Sequence, residues 1–201
     1  MNILIATHNQ NKFSEFKRIF KKTEIKILSL KKFTKVAPIE NGASFEENAL
    51  IKARFASKLI SHSFATLADD SGICVDSLNG QPGVFSARWA NKNNYQNAFQ
   101  KIKNSLAEKG LDINEQCAKF ICVLVLIDRK KNEYIFTGSL KGKLTLPPRG
   151  KNGFGYDPIF IPLNQKKTLA QISPSLKSSF SHRKKALDKL LNHSIFKKYF
   201  T

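Results

Sequence analysis

The stretch Phe64–Leu78, FATLADDSGICVDSL, decides how the rest of the chain is read. An apolar run reaches Ala68 and meets two adjacent carboxylates, Asp69 and Asp70. Ser71 and Gly72 follow, then a second apolar run with Asp76 inside it. The pattern predicts two strands, 64–68 and 72–78, around an acidic turn. Neighbouring side chains on a strand point to opposite faces, so one acid can serve a ligand while the other satisfies local backbone groups. Taken alone, an Asp-Ser-Gly turn whose acids only cap backbone donors is the better account.

On both sides of this stretch, strands and helices interleave. Residues 2–7 read as a short buried strand. Residues 11–22 read as a helix, with Phe13, Phe16, Ile19 and Phe20 at helical spacing. Residues 24–30 alternate like a second strand. The clearest helix is 44–62: Ser44 and Glu47 form a capping box, and Phe45, Ala49, Ala53, Ala56 and Ile60 mark one apolar face. A turn at 79–83 leads to a helix at 94–110, ended by Gly110. Residues 118–128 form a central strand, turned by 129–132 into 133–144 as a hairpin. A loop rich in Gly and Pro runs over 146–156, and a final helix covers 181–193 with Ser181 as N-cap. Interleaved elements with an antiparallel hairpin predict an α/β fold whose long mixed β-sheet is flanked by helices. The 201 residues suit one domain, 1–201, or two lobes around one sheet.

The formal net charge is +19, from 34 Lys+Arg against 15 Asp+Glu. Such an excess suits a polyanionic partner: nucleic acid, acidic lipid or a phosphorylated small molecule. Drift towards a lysine-rich, merely solvated surface explains it equally well, since lysine far outnumbers arginine. Phe at core spacing and the lack of a recognition motif argue against a stable nucleic-acid partner. The three cysteines, Cys74, Cys117 and Cys122, show neither CxxC nor zinc spacing. Each lies in or beside an apolar run and reads as a small core residue of a reducing, cytoplasmic protein. The opening MNILIAT does not read as a signal peptide, and no run approaches the ~18 apolar residues of a membrane helix.

Three other stretches can bear chemistry. IATHNQNK joins strand to helix, where backbone N–H groups and the helix dipole favour an anion. Thr7 and Asn9 add donors there and Lys12 a charge, although an ordinary polar turn is the better account of that loop alone. RGKNGFGYDP holds Gly150, Gly153 and Gly155, which let backbone approach a ligand, and Phe154 and Tyr156, on which a base can stack. KSSFSHRKKA places Lys177, Ser181, His182 and Arg183 at a helix start. It reads as a basic helix face, or as donors for a purine's keto oxygen and ring nitrogens. Asp69, Asp70 and Glu40 are acids of the kind that hold Mg²⁺ together with phosphate oxygens.

Taken in order, these blocks resemble the Ham1 family, the inosine triphosphate pyrophosphatases. ENGASFEENALIKARFA, LADDSGICVDSLNGQPGVFSARWA, GFGYDPIF and SHRKKAL are similar to the family's blocks over nearly the whole chain. The first block departs: the family's T-G-N-x-G-K is here Thr7, His8, Asn9, Gln10, Asn11, Lys12, with His8 and Asn11 in place of two glycines. Lys184 also stands where the family often has Gly. The resemblance implies a wedge-shaped fold with two lobes around a central cleft, a homodimer, and Mg²⁺-dependent hydrolysis of inosine, deoxyinosine and xanthosine triphosphates to monophosphate and pyrophosphate. It implies Asp70 as general base and metal ligand with Glu40, and Asp69 as its structural neighbour. Lys12 and Lys52 would neutralise charge, and Asn9, Lys12 and Ser71 would bind phosphates. Phe154 would stack on the base, which Asp157, Lys177, His182 and Arg183 would read or position. Thr7, His8, Gly155 and Tyr156 complete the expected substrate-binding set. A related pyrophosphatase of the Maf type is the nearer alternative, but its opening Ser-x-x-Arg-Arg is absent; a basic nucleic-acid-binding module is the more distant one.

Overall fold

A computed structural model of the chain describes residues 2–21, 23–61, 63–91, 94–194 and 196. The expected helix ends at Lys22 and His62 lie outside them. The strands are β1 (Asn2–Ile5), β2 (Lys26–Ser29), β3 (Ala65–Val75), β4 (Cys117–Ile127), β5 (Glu133–Leu144) and β6 (Phe160–Pro162). The helices are α1 (Gln10–Phe20), α2 (Phe45–Leu59), α3 (Ser86–Trp89), α4 (Tyr95–Ala107), α5 (Pro174–Phe180) and α6 (His182–Asn192). The strands are hydrogen-bonded in the order β2-β1-β3-β4-β5-β6. β1 runs parallel to β2 and β3, while β5 and β6 are antiparallel. The expected mixed α/β sheet is therefore present.

The chain divides into two compact units. The first comprises Met1–Asp70, Cys122–Gly138 and Arg183–Thr201. Its core brings Ile3 and Ile5 of β1 and Phe16 and Phe20 of α1 together with Leu67, Leu124, Leu187 and Leu190. The second comprises Ser71–Ile121 and Ser139–His182. Its core packs Ile73 and Val75 with Phe99, Ile102 and Leu106 of α4, and with Phe120, Leu144 and Phe160. β4 is buried almost throughout its C-terminal half, whereas β5 alternates exposed and buried residues, the mark of a strand with one solvated face. No helix of the described residues is long and apolar enough to cross a membrane.

The acidic turn expected at 69–72 does not exist. β3 runs unbroken through Asp69, Asp70, Ser71 and Gly72, so both acids stand mid-strand. The turn signal yields to burial: β1 pairs with β3 only at Ala65–Leu67, but Asp69, Asp70 and Gly72 are themselves buried, and a turn there would orphan buried backbone groups. Gly72 serves close approach, not turning: a Cβ there would stand 2.3 Å from Ser86 Oγ and 2.5 Å from the Gly83 carbonyl. The strand expected to reach residue 78 ends at Val75, and Asp76–Leu78 is a 3₁₀ turn. Sequence periodicity also passed over β6 and α5, which are three and seven residues long. Cys117 is exposed, not a core residue, while Cys74 and Cys122 are buried. Burial pushes the Cys122 thiol up to about 12, which leaves it inert.

Candidate active site

In the first unit, the two adjacent acids of β3 are met by different helices. Asp69 is buried at 1% exposure. Its Oδ2 accepts from Arg183 of α6 at 2.9 Å and lies 3.2 Å from the Lys12 ammonium of α1. The Arg183 guanidinium also donates to Glu15 of α1 and lies over the Phe16 ring, 5.6 Å from its centroid. Asp70 is 7% exposed and accepts from Lys52 of α2 at 2.6 Å. Lys52 also donates to Glu40 at 3.1 Å.

α2 explains how an ammonium comes to be there. Ser44 caps it by accepting from the Glu47 amide at 3.1 Å, and Glu47 reaches back to the Ala43 amide at 2.7 Å. Its buried face is Ala49, Ala53 and Ala56, and Lys52 lies on that same face. A lysine inside an alanine stripe is held there by the carboxylates it meets. The loop carrying Glu40 is pinned by Asn48, whose Oδ1 accepts from the Gly42 amide at 2.8 Å. A Cβ on Gly42 would collide with Asn48 and Glu47.

These contacts drive the neighbouring acids apart. Burial alone would raise the pKa of Asp69, but Lys12, Arg183 and Lys52 outweigh it and hold the carboxyl well below the usual range. For Asp70, burial raises the pKa and prevails over the opposing pull of Lys52 and Lys12. Burial would lower the pKa of Lys52, yet Asp70, Asp69 and Glu40 together raise it. Two titratable groups pushed apart by environment are a mark of acid–base assignment.

The β1–α1 loop is organised mostly by itself. Thr7 Oγ1 accepts from the Asn9 amide at 3.1 Å. Asn9 Oδ1 accepts from the amides of Asn11 at 2.9 Å and Lys12 at 3.2 Å. Two of the N–H groups expected to face an anion are thus taken by the helix's own N-cap. His8 donates from Nε2 to the Thr34 carbonyl at 3.0 Å. Neither His8 nor Asn11 has positive φ, so the loop does not require the two glycines it lacks.

In the second unit, Asp157 is the centre of the glycine loop. Its Oδ2 accepts from the Phe154 amide at 2.9 Å and from Lys177 at 2.6 Å. The Lys177 ammonium stands 4.8 Å from the Phe154 ring centroid, a cation–π contact. Gly153 has φ +73°, and a Cβ there would lie 2.1 Å from Asp157 Oδ2, so the loop closes only around glycine. Gly155 also has positive φ and stands beside Tyr95. Tyr156 is buried, donates to the Ser86 carbonyl at 2.8 Å and meets Tyr95 edge-on at 5.4 Å. His182 is buried and stacks on Phe120 at 4.8 Å and 11°. Ser71, half-buried, opens the second unit's share of β3.

The structure thus gathers Lys12, Lys52, Glu40, Asp69, Asp70 and Arg183 in the first unit, and Phe154, Asp157 and Lys177 in the second. Arg183, expected to face a base, has its guanidinium committed to Glu15 and Asp69. Sequence reasoning gave no role to Glu15, Asn48 or Ser86. The signal for Glu15 was an acid beside Phe16 on the apolar face of α1, where burial demands a partner. Among the described residues, no three His, Cys, Asp or Glu side chains form a metal cluster. Glu40 and Asp70 nonetheless converge on one cation, the Lys52 ammonium. Such a pair fits a hard divalent cation that takes its other ligands from phosphate oxygens and water.

A model of the Ham1 family matches residues 3–193. A dITP/XTP pyrophosphatase of Thermoanaerobacter pseudethanolicus is 42% identical over 195 residues, covering 96% of this chain and 96% of that protein. A solved Ham1 protein from Coxiella burnetii matches with a TM-score of 0.82 at 38% identity, over 94% of this chain and 96% of its own. A nucleoside-triphosphatase, dITP/XTP pyrophosphatase, from Mycobacterium abscessus matches with a TM-score of 0.73 at 38% identity, over 96% and 100% of the two chains. Because the match runs through both units and through every segment that holds Asp69 and Asp70, the chain belongs to the Ham1 family.

Proposed function

We propose that the protein hydrolyses the triphosphates of inosine, deoxyinosine and xanthosine to the nucleoside monophosphate and pyrophosphate. The observation that carries this reading is the division between the adjacent acids. Asp69, its pKa lowered, is held by Lys12 and Arg183, while Asp70, its pKa raised, shares the Lys52 ammonium with Glu40. The relatives' activity on dITP and XTP supports the substrate class.

In this reading Asp70 accepts a proton from a water molecule that attacks the α-phosphorus. The bond from that phosphorus to the oxygen bridging to the β-phosphorus breaks, and pyrophosphate leaves with the electron pair. Lys12 and Lys52 offset charge on the phosphates, which Asn9 and Ser71 help to bind. Glu40 and Asp70 would hold Mg²⁺, which supplies further charge neutralisation when bound. Phe154 stacks on the base, Asp157, Lys177 and His182 position it, and Arg183 acts through Asp69. Thr7, His8, Gly155 and Tyr156 shape the surrounding loops. The reading takes residues 1–201 as one functional domain, working as a homodimer in the cytoplasm; light scattering of the purified protein checks the dimer.

The test is a panel of nucleoside triphosphates with Mg²⁺, reading orthophosphate with and without added inorganic pyrophosphatase. Inosine, deoxyinosine and xanthosine triphosphates should give pyrophosphate in one step, ahead of ATP and GTP. Stepwise orthophosphate release through a diphosphate overturns the reaction. Turnover undiminished in EDTA removes Mg²⁺ from it.

A further inference from the structure

We propose that the face built by α1 and β2 is a second binding site, separate from the acids of β3, for the phosphodiester backbone of single-stranded nucleic acid. A groove of about 500 Å³ opens there. Lys17, Arg18 and Lys21 of the α1 end line it with exposed side chains. Phe20, Ile25 and Ile27 give it an apolar lining, buried or half-buried. Among the described residues, none of the three cations forms an ion pair, and no acid lines the groove. The arrangement differs from that of Lys12, Lys52, Lys177 and Arg183, each of which is matched to a carboxylate.

The charge here is concentrated, not spread. Residues 17–35 contain eight Lys or Arg and one acid, Glu24, a net of +7 within the chain's +19. Under a tenth of the sequence therefore holds more than a third of the excess, which uniform lysine drift does not produce. Every basic residue described in this segment is exposed. β2, which carries Lys26, is the end strand of the sheet. Exposed basic residues continue along the chain past the groove to Lys35, which favours a long anion over a single nucleotide. The concave, part-apolar shape suits a threaded chain with sugars more than a flat anionic membrane. Phe20 is 2% exposed and offers no face for stacking, whereas Phe33, 44% exposed in the same segment, can take a base, so recognition rests mainly on phosphates, with little sequence preference.

The experiment is anisotropy of a labelled oligothymidylate titrated with the intact protein over a range of salt. Binding should weaken linearly on a log–log plot. The variant Lys17→Glu, Arg18→Glu, Lys21→Glu should flatten the slope by about 2, from ~0.7 per phosphate contact for three contacts. A control with the same loss of charge elsewhere, Lys109→Glu, Lys166→Glu, Lys167→Glu, should keep the wild-type slope. The milder Lys17→Gln, Arg18→Gln, Lys21→Gln repeats the test should the charge reversal disturb folding. Turnover of inosine triphosphate should be unchanged in all three, since none of these residues belongs to the catalytic group. Equal slopes for the groove variants and the control overturn the site, as does the absence of oligonucleotide binding at low salt. Binding confined to phosphatidylglycerol vesicles overturns it as well.

Discussion

Around Asp69 and Asp70, the first unit collects charged side chains from α1, α2 and α6, and each acid meets cations brought from elsewhere in the chain. Around Asp157, the second unit works differently: a glycine loop folds onto one carboxylate, one lysine crosses from α5, and the rings of Phe154, Tyr95 and Tyr156 stand in the same loop region. The first arrangement is rigid because a buried charge cannot lose its partner cheaply. The second is shaped by backbone permissiveness, with positive φ at Gly150, Gly153 and Gly155. Under the proposed function the difference becomes a division of labour, with chemistry in the charge group and recognition of a base by the rings and loop. Substitutions that affect rate in one region and binding in the other would sharpen that contrast.

The largest effect is expected from Asp70→Asn. Losing a positioned base should lower kcat by ~10²–10⁴-fold with the fold intact. Burial raises the pKa of Asp70 in the metal-free protein, so a carboxyl-carbon NMR titration without Mg²⁺ should show one midpoint above the ~3.9 of an ordinary aspartate. The variant should lose that midpoint. Only ordinary carboxylate midpoints in the parent would remove the contrast between the adjacent acids. Asp69→Asn should act on stability instead. Its depressed pKa stabilises the fold above about pH 4, and that contribution is lost as pH falls through the native value.

Arg183→Ala comes next. It leaves Glu15 and Asp69 without the guanidinium they share, and breaking a buried pair in this way costs ~3–5 kcal/mol. Chemical denaturation should show the loss, and surviving activity should fall alike for inosine and adenosine triphosphates. A well-folded variant in which only their ratio narrows would move Arg183 into base recognition and blur the contrast between the units.

Gly72→Ala probes the shared strand. Its methyl would stand 2.3 Å from Ser86 Oγ, and such overpacking costs ~1–3 kcal/mol. For a chain of this size each kcal/mol lowers Tm by roughly 2–4 °C. An unchanged melting temperature would return Gly72 to the role of a turn residue. Phe154→Ala is the mildest. Base stacking is worth ~1–3 kcal/mol, and Lys177 already lies over this ring, so KM should rise about 5- to 10-fold for either nucleotide. A kcat loss matching that of Asp70→Asn would end the division of labour.

Much of this molecule is determined by short-range sequence. The capping box of α2 pairs Ser44 with Glu47, three residues apart. The alternation of β5 and the cap that Asn9 places on α1 are equally local. The glycines of 150–155 are legible too, because positive φ has few other occupants. The blocks that resemble Ham1 contain Glu40, Lys52 and Asp70, which the fold brings into contact. Tertiary structure decided the rest. The continuity of β3 through Asp-Ser-Gly depended on the burial of Asp69, Asp70 and Gly72, where unpaired backbone groups outweigh a local preference to turn. The destination of Arg183 depended on Glu15 and Asp69, 168 and 114 residues away. No window of sequence contains those three groups, yet burial makes each one's charge tolerable only in the presence of the others.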